Sequence, residues 1–419
     1  MKLSYITKII AAAVIMTMAD QATAQNNVTP YSRIAYGILQ DNATSTQRAM
    51  GGVGIAMQNG RQVNVMNPAS YSQVDSLTFL WDIGLDLSMN WSEENGKRGH
   101  TVGGGFDYAA GQFRITKGLG ASFGIVPYSS VGYSFGGTIE NGAETRSGSG
   151  GLNELFVGAG WEPVKGLSIG ANFSYLFGTI TNETDVLTSS TTLFQRVTEV
   201  RDWNVKVGLQ YGLNVTPRDR IVLGLTYQPK KSFHGHAWGT YYDSSLDEKA
   251  DTVGYTSLKG NYEQPNTFGA GLAYSHGDRV TAEVDFLYQP WSKAAYRTLG
   301  GFEAANMKLD DRWKASVGFS VTPNPRGNYF KRMTYRAGAF YNHDYLNIRG
   351  NNVRGNNVRD YGVGMGFGFP ALGSKTLVNL GLEWRHRVTA PEVLIKENYF
   401  NITLSVSFNE MWFWKNKLR

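Results

Sequence analysis

The stretch LTFLWDIGLDLSMNW, residues 77–91, constrains the chain more than any other. Leu77, Phe79, Trp81, Ile83, Leu85, Leu87, Met89 and Trp91 are apolar. Between them stand Thr78, Leu80, Asp82, Gly84, Asp86, Ser88 and Asn90, most of them polar or small. A period of two is an extended strand with one greasy face and one wet face. Strands of soluble domains average about 5–6 residues, and this pattern runs for fifteen. A strand crossing a bilayer needs about 9–11 residues, its apolar face toward lipid and its polar face toward a lumen.

The alternation recurs along the chain. It is plain from Leu167 to Phe177, Trp203 to Leu213, Ile221 to Tyr227, Phe268 to Tyr274 and Val280 to Tyr288. It returns from Trp313 to Val321, Tyr335 to Tyr341, Tyr361 to Phe369 and Phe400 to Phe408. Tight connections such as EPVKG at 162–166, TPRDR at 216–220 and HGDR at 276–279 alternate with longer polar ones. The longer ones fall at 92–102, 135–150, 182–195, 230–260, 292–308 and 346–358, and TPNPRGNYFKR at 322–332 is an unusually long member of the tight set. Short turns on one side and long loops on the other fit an outer-membrane barrel. The spacing predicts an all-β fold, a transmembrane antiparallel β-barrel of about 14 strands over 77–410. A soluble sandwich or propeller would show shorter strands and no such asymmetry of connections.

Composition closes other routes. The 50 glycines, 23 tyrosines, 21 phenylalanines and 10 tryptophans favour strands and turns. With no cysteine there is no disulfide framework and no thiolate metal site. The +6 charge is scattered, without a basic cluster, so nucleic acid is not an expected partner. Lys2 and Lys8, the apolar run 9–19 and Ala22-Thr23-Ala24 predict a secretory signal peptide over 1–24. The uncharged run 118–139 holds six glycines, four serines and Pro127, and reads as strand rather than membrane helix.

Residues 25–76 do not alternate. Their centre, RAMGGVGIAMQNGRQVNVMNPASYSQ, is rich in small residues. A barrel of this size has a lumen its wall side chains do not fill, so the segment is expected to fold inside as a plug. Residues 411–419 form a short tail.

At this point the sequence resembles a family. RAMGGVGIAM followed by Asn67-Pro68-Ala69 resembles the N-terminal hatch of FadL-like outer-membrane transporters of long-chain fatty acids and aromatic hydrocarbons. QPNTFGAGLAYSHGDRVTAEVDFLYQPWSKA, 264–294, resembles the family hairpin with a proline before one strand and an aromatic-x-x-Trp-Ser ending the next. YRAGAFYN, 335–342, resembles its late Arg-x-Gly-x-x-Tyr strand. The resemblance implies a fourteen-stranded barrel with a hatch, and a side exit at a kink in the third strand. It departs from the family at Ala69-Ser70, where Ala-Gly is usual, and in the ending FNEMWFWKNKLR.

Catalytic chemistry finds no nominee. His234-Gly235-His236 is the one close histidine pair and is expected to be a loop pair, not a metal site. No Ser-His-carboxylate set is marked, so the chain is expected not to be an enzyme and to need no cofactor. Gly52-Val53-Gly54 lacks the third glycine of a dinucleotide loop, with Met57 in its place, and no strand precedes it. Those glycines are expected to serve close backbone packing. Asp82 and Asp86 should face the lumen, where Arg48 or Arg61 of the plug are candidate partners. The repeat RGNNVRGNNVRD, 349–360, reads as a loop tip.

Two groups of candidate site residues remain. Asn67, Pro68 and Ala69 would form a rigid bend in the hatch, since Pro68 restricts Asn67 to extended backbone. Pro127, which cannot donate to a ladder, with Ser129 and Ser130 would form the kink of a side gap, with no apolar bulk to meet lipid. The expected protein is an outer-membrane channel for small hydrophobic molecules, with outer-membrane lipid and a hydrophobic substrate as partners. The alternative is a structural or shuttle subunit of an outer-membrane complex, with another outer-membrane protein as partner.

Overall fold

A computed structural model describes residues 29–243, 251–297, 307–349, 355–371 and 375–411. The signal peptide expected at 1–24, most of the tail and the centre of the 349–360 repeat lie outside the described residues. Among the described residues, fourteen antiparallel strands form the wall: β1 (Thr78–Glu94), β2 (Lys97–Thr116), β3 (Leu119–Ile139), β4 (Gly142–Val164), β5 (Leu167–Leu187), β6 (Thr191–Asn214) and β7 (Asp219–Gln228). The wall continues through β8 (Thr267–His276), β9 (Val280–Gln289), β10 (Arg312–Val321), β11 (Thr334–Arg349), β12 (Gly355–Pro370), β13 (Leu377–Ala390) and β14 (Lys396–Met411). The seam closes where β1 pairs with β14, from Thr78 against Met411 to Glu93 against Lys396. Closure removes the outer sheet edges, so the backbone of the wall finds its hydrogen bonds internally, as lipid requires, except along the upper part of β3.

The faces divide as the alternation requires. Trp161, Phe173, Trp203, Leu225, Phe286 and Val363 stand outward and exposed. Asp82, Asn172, Ser174, Asn204, Asp285 and Ser405 stand inward and buried.

Three of the long polar connections are not loops. Segments 92–102, 135–150 and 182–195 continue the strands past the membrane into tight hairpins. The β1–β2 turn is Asn95-Gly96, with φ 48° and 78°, the positive values a two-residue hairpin turn needs. Polar residues on both faces look like loop in a sequence, yet a hairpin in water accepts them. The wall is therefore uneven. β3 to β6 run 21–24 residues, whereas β7 to β10 run 10. Above β7, a hairpin of 235–243 and 251–257 pairs with the upper half of β6.

Residues 29–76 lie against the inward-facing side of the wall. Their regular elements are few: a 3-10 turn at Pro30–Arg33, a two-residue strand at Ile38–Leu39, one helical turn at Ser45–Arg48 and a 3-10 turn at Pro68–Gln73. Their backbone lies against lumen-facing glycines of the wall. A Cβ on Gly170 would come within 2.4 Å of the Pro68 carbonyl, and one on Gly338 within 2.0 Å of the Met50 backbone.

Candidate functional site

Pro127 lies in the third strand of the barrel, and the ladder fails there. β2 and β3 pair only from Ala109 against Ile125 down to Thr116 against Leu119. Beyond Ile125, β3 keeps its β4 neighbour, with a register shift between Pro127 and Ser129. Its other edge has lost β2, which continues upward with β1 alone. A break of this kind in a closed barrel exposes a row of unpaired backbone groups.

The N-terminal segment covers that edge. Ile38 pairs with Ser130 and Leu39 with Ser129. Gln40 N donates to Tyr128 O at 2.9 Å and Thr29 N to Gly132 O at 2.8 Å. Gly132 N donates to Ser32 Oγ at 3.0 Å. The approach is close enough to demand glycine at Gly37, whose φ is +82° and whose Cβ would meet Ser130 O at 2.4 Å. Ser129 and Ser130 are buried at 4% and 9% exposure, so they meet the N-terminal segment and not lipid.

Above the break, an apolar cluster fills the barrel. Tyr31, Tyr36, Ile38 and Leu39 pack with Val131, Leu152, Phe233, Tyr262, Trp291 and Tyr345. Tyr36 sits among aromatic rings, with Phe233 and Tyr296 edge-on at 5.4 and 5.3 Å. Below it the lining changes character. A cavity of about 60 Å³ behind Pro127 is bounded by Gln40, Asp41, Arg48, Asp86, Asp107 and Lys314, among others. Asp41 accepts from Arg312 at 2.7 Å and from Lys314 at 2.5 Å. Burial would raise the Asp41 carboxyl, but Lys314 and Arg312 outweigh burial and hold it well below the usual carboxylate range.

The lower part of the N-terminal segment is tied to the wall by carboxylates. Gly54 N and Ile55 N donate to Asp285 Oδ2 at 2.7 and 2.9 Å, and Ala56 N donates to Glu283 Oε1 at 2.7 Å. The glycine run that resembled a phosphate loop thus offers its amides to the barrel. Asn67 caps the Pro68–Gln73 turn, accepting from Ala69 N at 3.1 Å, and donates through Nδ2 to Ile55 O at 2.7 Å. Its backbone is extended, φ −131° and ψ 113°, as a residue before proline must be. Asn67, Pro68 and Ala69 therefore gather at the wall near Gly170 and Gly208, well below Pro127, Ser129 and Ser130.

The ion pairs of the N-terminal segment differ from those expected. Arg48 binds Asp107 on β2 at 2.7 Å, and Arg61 binds Asp75 and Asp278. Asp82 instead accepts from Tyr108 Oη at 2.6 Å and Ser407 Oγ at 2.5 Å. A bulge explains the exchange. Gly84 pairs with Tyr108 and Leu85 with Phe106, so Asp107 is the extra residue and turns inward beside Tyr108. Alternation would place only one of the two in the lumen. The histidines also separate: His234 lies 3.1 Å from Asp202, and His236 lies 2.6 Å from Tyr255 Oη. No group of three metal-binding side chains occurs among the described residues.

The BamG family model matches residues 5–419. The chain belongs to the BamG family. No curated protein matches it. Among solved structures, the Ralstonia pickettii toluene transporter TbuX is similar with TM-score 0.59 at 16% identity, over 88% of this chain and 98% of that one. A Pseudomonas aeruginosa FadL homologue gives TM-score 0.61 at 12% identity, over 89% and 99%. The Pseudomonas putida toluene transporter TodX gives 0.58 at 16%, over 90% and 100%. At these identities the likeness is one of fold. This BamG-family chain is an outer-membrane β-barrel of FadL shape, and in barrels of this kind the short turns face the periplasm.

Proposed function

We propose that this barrel passes hydrophobic molecules between the cell exterior and the bilayer through its side wall. Residues 29–41 would act as the closure, and Asn67-Pro68-Ala69 as part of the fixed base of the hatch. One observation carries the reading. The apolar cluster under the extracellular hairpins runs unbroken to Ile38 and Leu39, and those residues are the strand that covers the break beside Pro127, Ser129 and Ser130. A greasy molecule able to replace their side chains would arrive at an unpaired edge facing lipid. Monoaromatic hydrocarbons, as the TbuX and TodX likenesses suggest, and long-chain fatty acids, as the FadL-like resemblance of the sequence implies, are the substrate classes to try first. No covalent step is involved, so the reading calls for no cofactor.

The absence of native cysteine gives a clean test. Leu39→Cys with Ser129→Cys places two thiols on directly paired residues, within disulfide reach. Oxidation should reduce uptake of a labelled fatty acid or toluene several-fold, and reduction should restore it. Equal uptake in both states would sink the side-wall route.

A second reading is favoured by the cavity below the cluster. Its charged lining repels a hydrocarbon, and BamG membership extends over the chain. On this reading the barrel is a sealed subunit of an outer-membrane complex. Purification at native expression levels separates the two: a stoichiometric partner barrel favours the subunit, and a lone protein carrying lipid favours the channel.

A further inference from the structure

We propose that the periplasmic rim is a ring-shaped binding surface for anionic phospholipid headgroups of the inner leaflet. All six periplasmic connections carry an exposed basic residue: Lys117, Lys165, Arg218, Arg279, Arg326 and Lys375. None of the six has an ion-pair partner among the described residues. Four of the rim's five acids are already engaged, Glu410 at the end of β14 being the fifth. Asp75 and Asp278 both bind Arg61, at 3.1 and 3.2 Å. Asp219 binds His276 at 2.7 Å, and Glu162 accepts from Gly166 N at 2.7 Å. A basic residue recurs at all six turns, whereas the acids do not.

The height of the ring fits phosphate. The lipid-facing apolar band runs down to Ile115, Val164 and Val215, at 56%, 65% and 64% exposure. Each lies one to three residues before a basic member of the ring, at Lys117, Lys165 and Arg218. The charges therefore start where the hydrocarbon ends, and long basic side chains can reach the headgroups while their stems stay on the greasy wall. The one long periplasmic connection, 322–333, adds Phe330, at 69% the most exposed large apolar residue among the described residues, beside Tyr329 and Lys331. Aromatic rings beside cations are the usual furniture of the membrane interface. The extracellular hairpins lack this bias: Glu93 and Glu94 face Lys97 and Arg98 at one tip, and Glu140 and Glu144 stand with Arg146 at the next.

The even distribution selects a membrane over a protein. A docked protein touches one sector of a rim, and a ring charged at every turn offers it no preferred sector. An annulus of lipid touches all of them. Each Lys or Arg near an anionic surface contributes roughly a fivefold preference.

The test uses the whole protein in vesicles of phosphatidylethanolamine with brominated phosphatidylglycerol, against the same vesicles with brominated phosphatidylethanolamine. Trp161, lipid-facing and near the rim, belongs to the tryptophans that report by quenching. Wild type should be quenched as though the anionic lipid were enriched about fivefold around it. The enrichment should fall as salt rises from about 50 to about 500 mM. It should vanish in the variant with all six basic residues changed to Gln, provided that variant keeps its heat-dependent gel mobility. Equal quenching by the two lipids, enrichment insensitive to salt, or enrichment retained in the folded variant would each overturn the proposal. An acidic protein partner on this rim would produce the first of those outcomes.

Discussion

The two halves of the N-terminal segment are held in different ways. Residues 44–73 rest with backbone against wall glycines and give their amides to Glu283 and Asp285. Residues 29–41 add a two-residue ladder to the edge of β3 and fill the space above with aromatic rings. Displacing the lower half would strand carboxylates and amides together in a buried site, a large cost. In the upper half, the ion pairs of Asp41 with Arg312 and Lys314 stay with the anchor. Displacing the part above Asp41 breaks a short ladder and a few hydrogen bonds such as Thr29 Oγ1 to Glu397 Oε2. It otherwise exchanges one apolar surface for another, so a hydrophobic ligand could replace the apolar part of what is lost. One half is built as an anchor and the other as a cover.

The strongest challenge to that contrast is Gly338→Val. Its Cβ would fall 2.0 Å from the Met50 backbone, too close for either side to yield without moving the anchor. A local loss of about 1–3 kcal/mol or more is expected. Limited proteolysis should then cut within residues 44–60 while the barrel stays resistant, and an uncut segment would mean the glycine belt is not the anchor.

Next comes Asp285→Ala, which removes the acceptor of Gly54 N and Ile55 N. About 1–3 kcal/mol of local stability should disappear. Hydrogen exchange at those two amides should accelerate, with the Leu39–Ser129 pairing unchanged. If both regions loosen together, the halves are one cooperative unit and the contrast fails.

How far the sequence foresaw this depends on the range of each interaction. Ten of the fourteen strands were legible as runs of period two, because that period is a local property repeated between turns, and the spacing of the turns supplied the rest of the count. The position of Pro127 in the third strand followed from counting them. The anchors were not legible. Gly54 and Asp285 are 231 residues apart, and which lumen-facing carboxylate meets which amide is set by the shear of the closed wall. The Arg48 partner was missed for a smaller reason. One bulged residue at Asp107 breaks the alternation that predicted Asp82 or Asp86. The covered edge of β3 could not be read either, because Ile38-Leu39 is too short to show a period.

A milder change tests the cover. Ser32→Ala removes the hydroxyl that receives Gly132 N at 3.0 Å. About 0.5–1.5 kcal/mol is at stake, and exchange should speed up at Gly132 and not at Ala56. The smallest effect belongs to acid. The Asp41 carboxyl is held well below its ordinary range, so its contribution is present above that range and is lost only as pH falls through the depressed value. Protection of the Gln40 amide should be unchanged between pH 7 and about pH 4. Its loss by pH 4 would show that Lys314 and Arg312 do not hold Asp41 in solution.

The seam between β1 and β14 has a consequence for how the molecule is made. Asp82 and Ser407 meet across it although 325 residues separate them. Contacts of such span carry the largest loop-closure entropy, so they form late. The N-terminal segment leaves the ribosome before any strand of the wall, and it ends inside a ring that its own chain closes last. An open sheet curling around the segment can gather it in; a finished cylinder would have to be threaded. Glu283 and Asp285, β9 residues that grip the amides of residues 54–56, then gain a role before the molecule is complete, holding the contents in place while the container is still being rolled up.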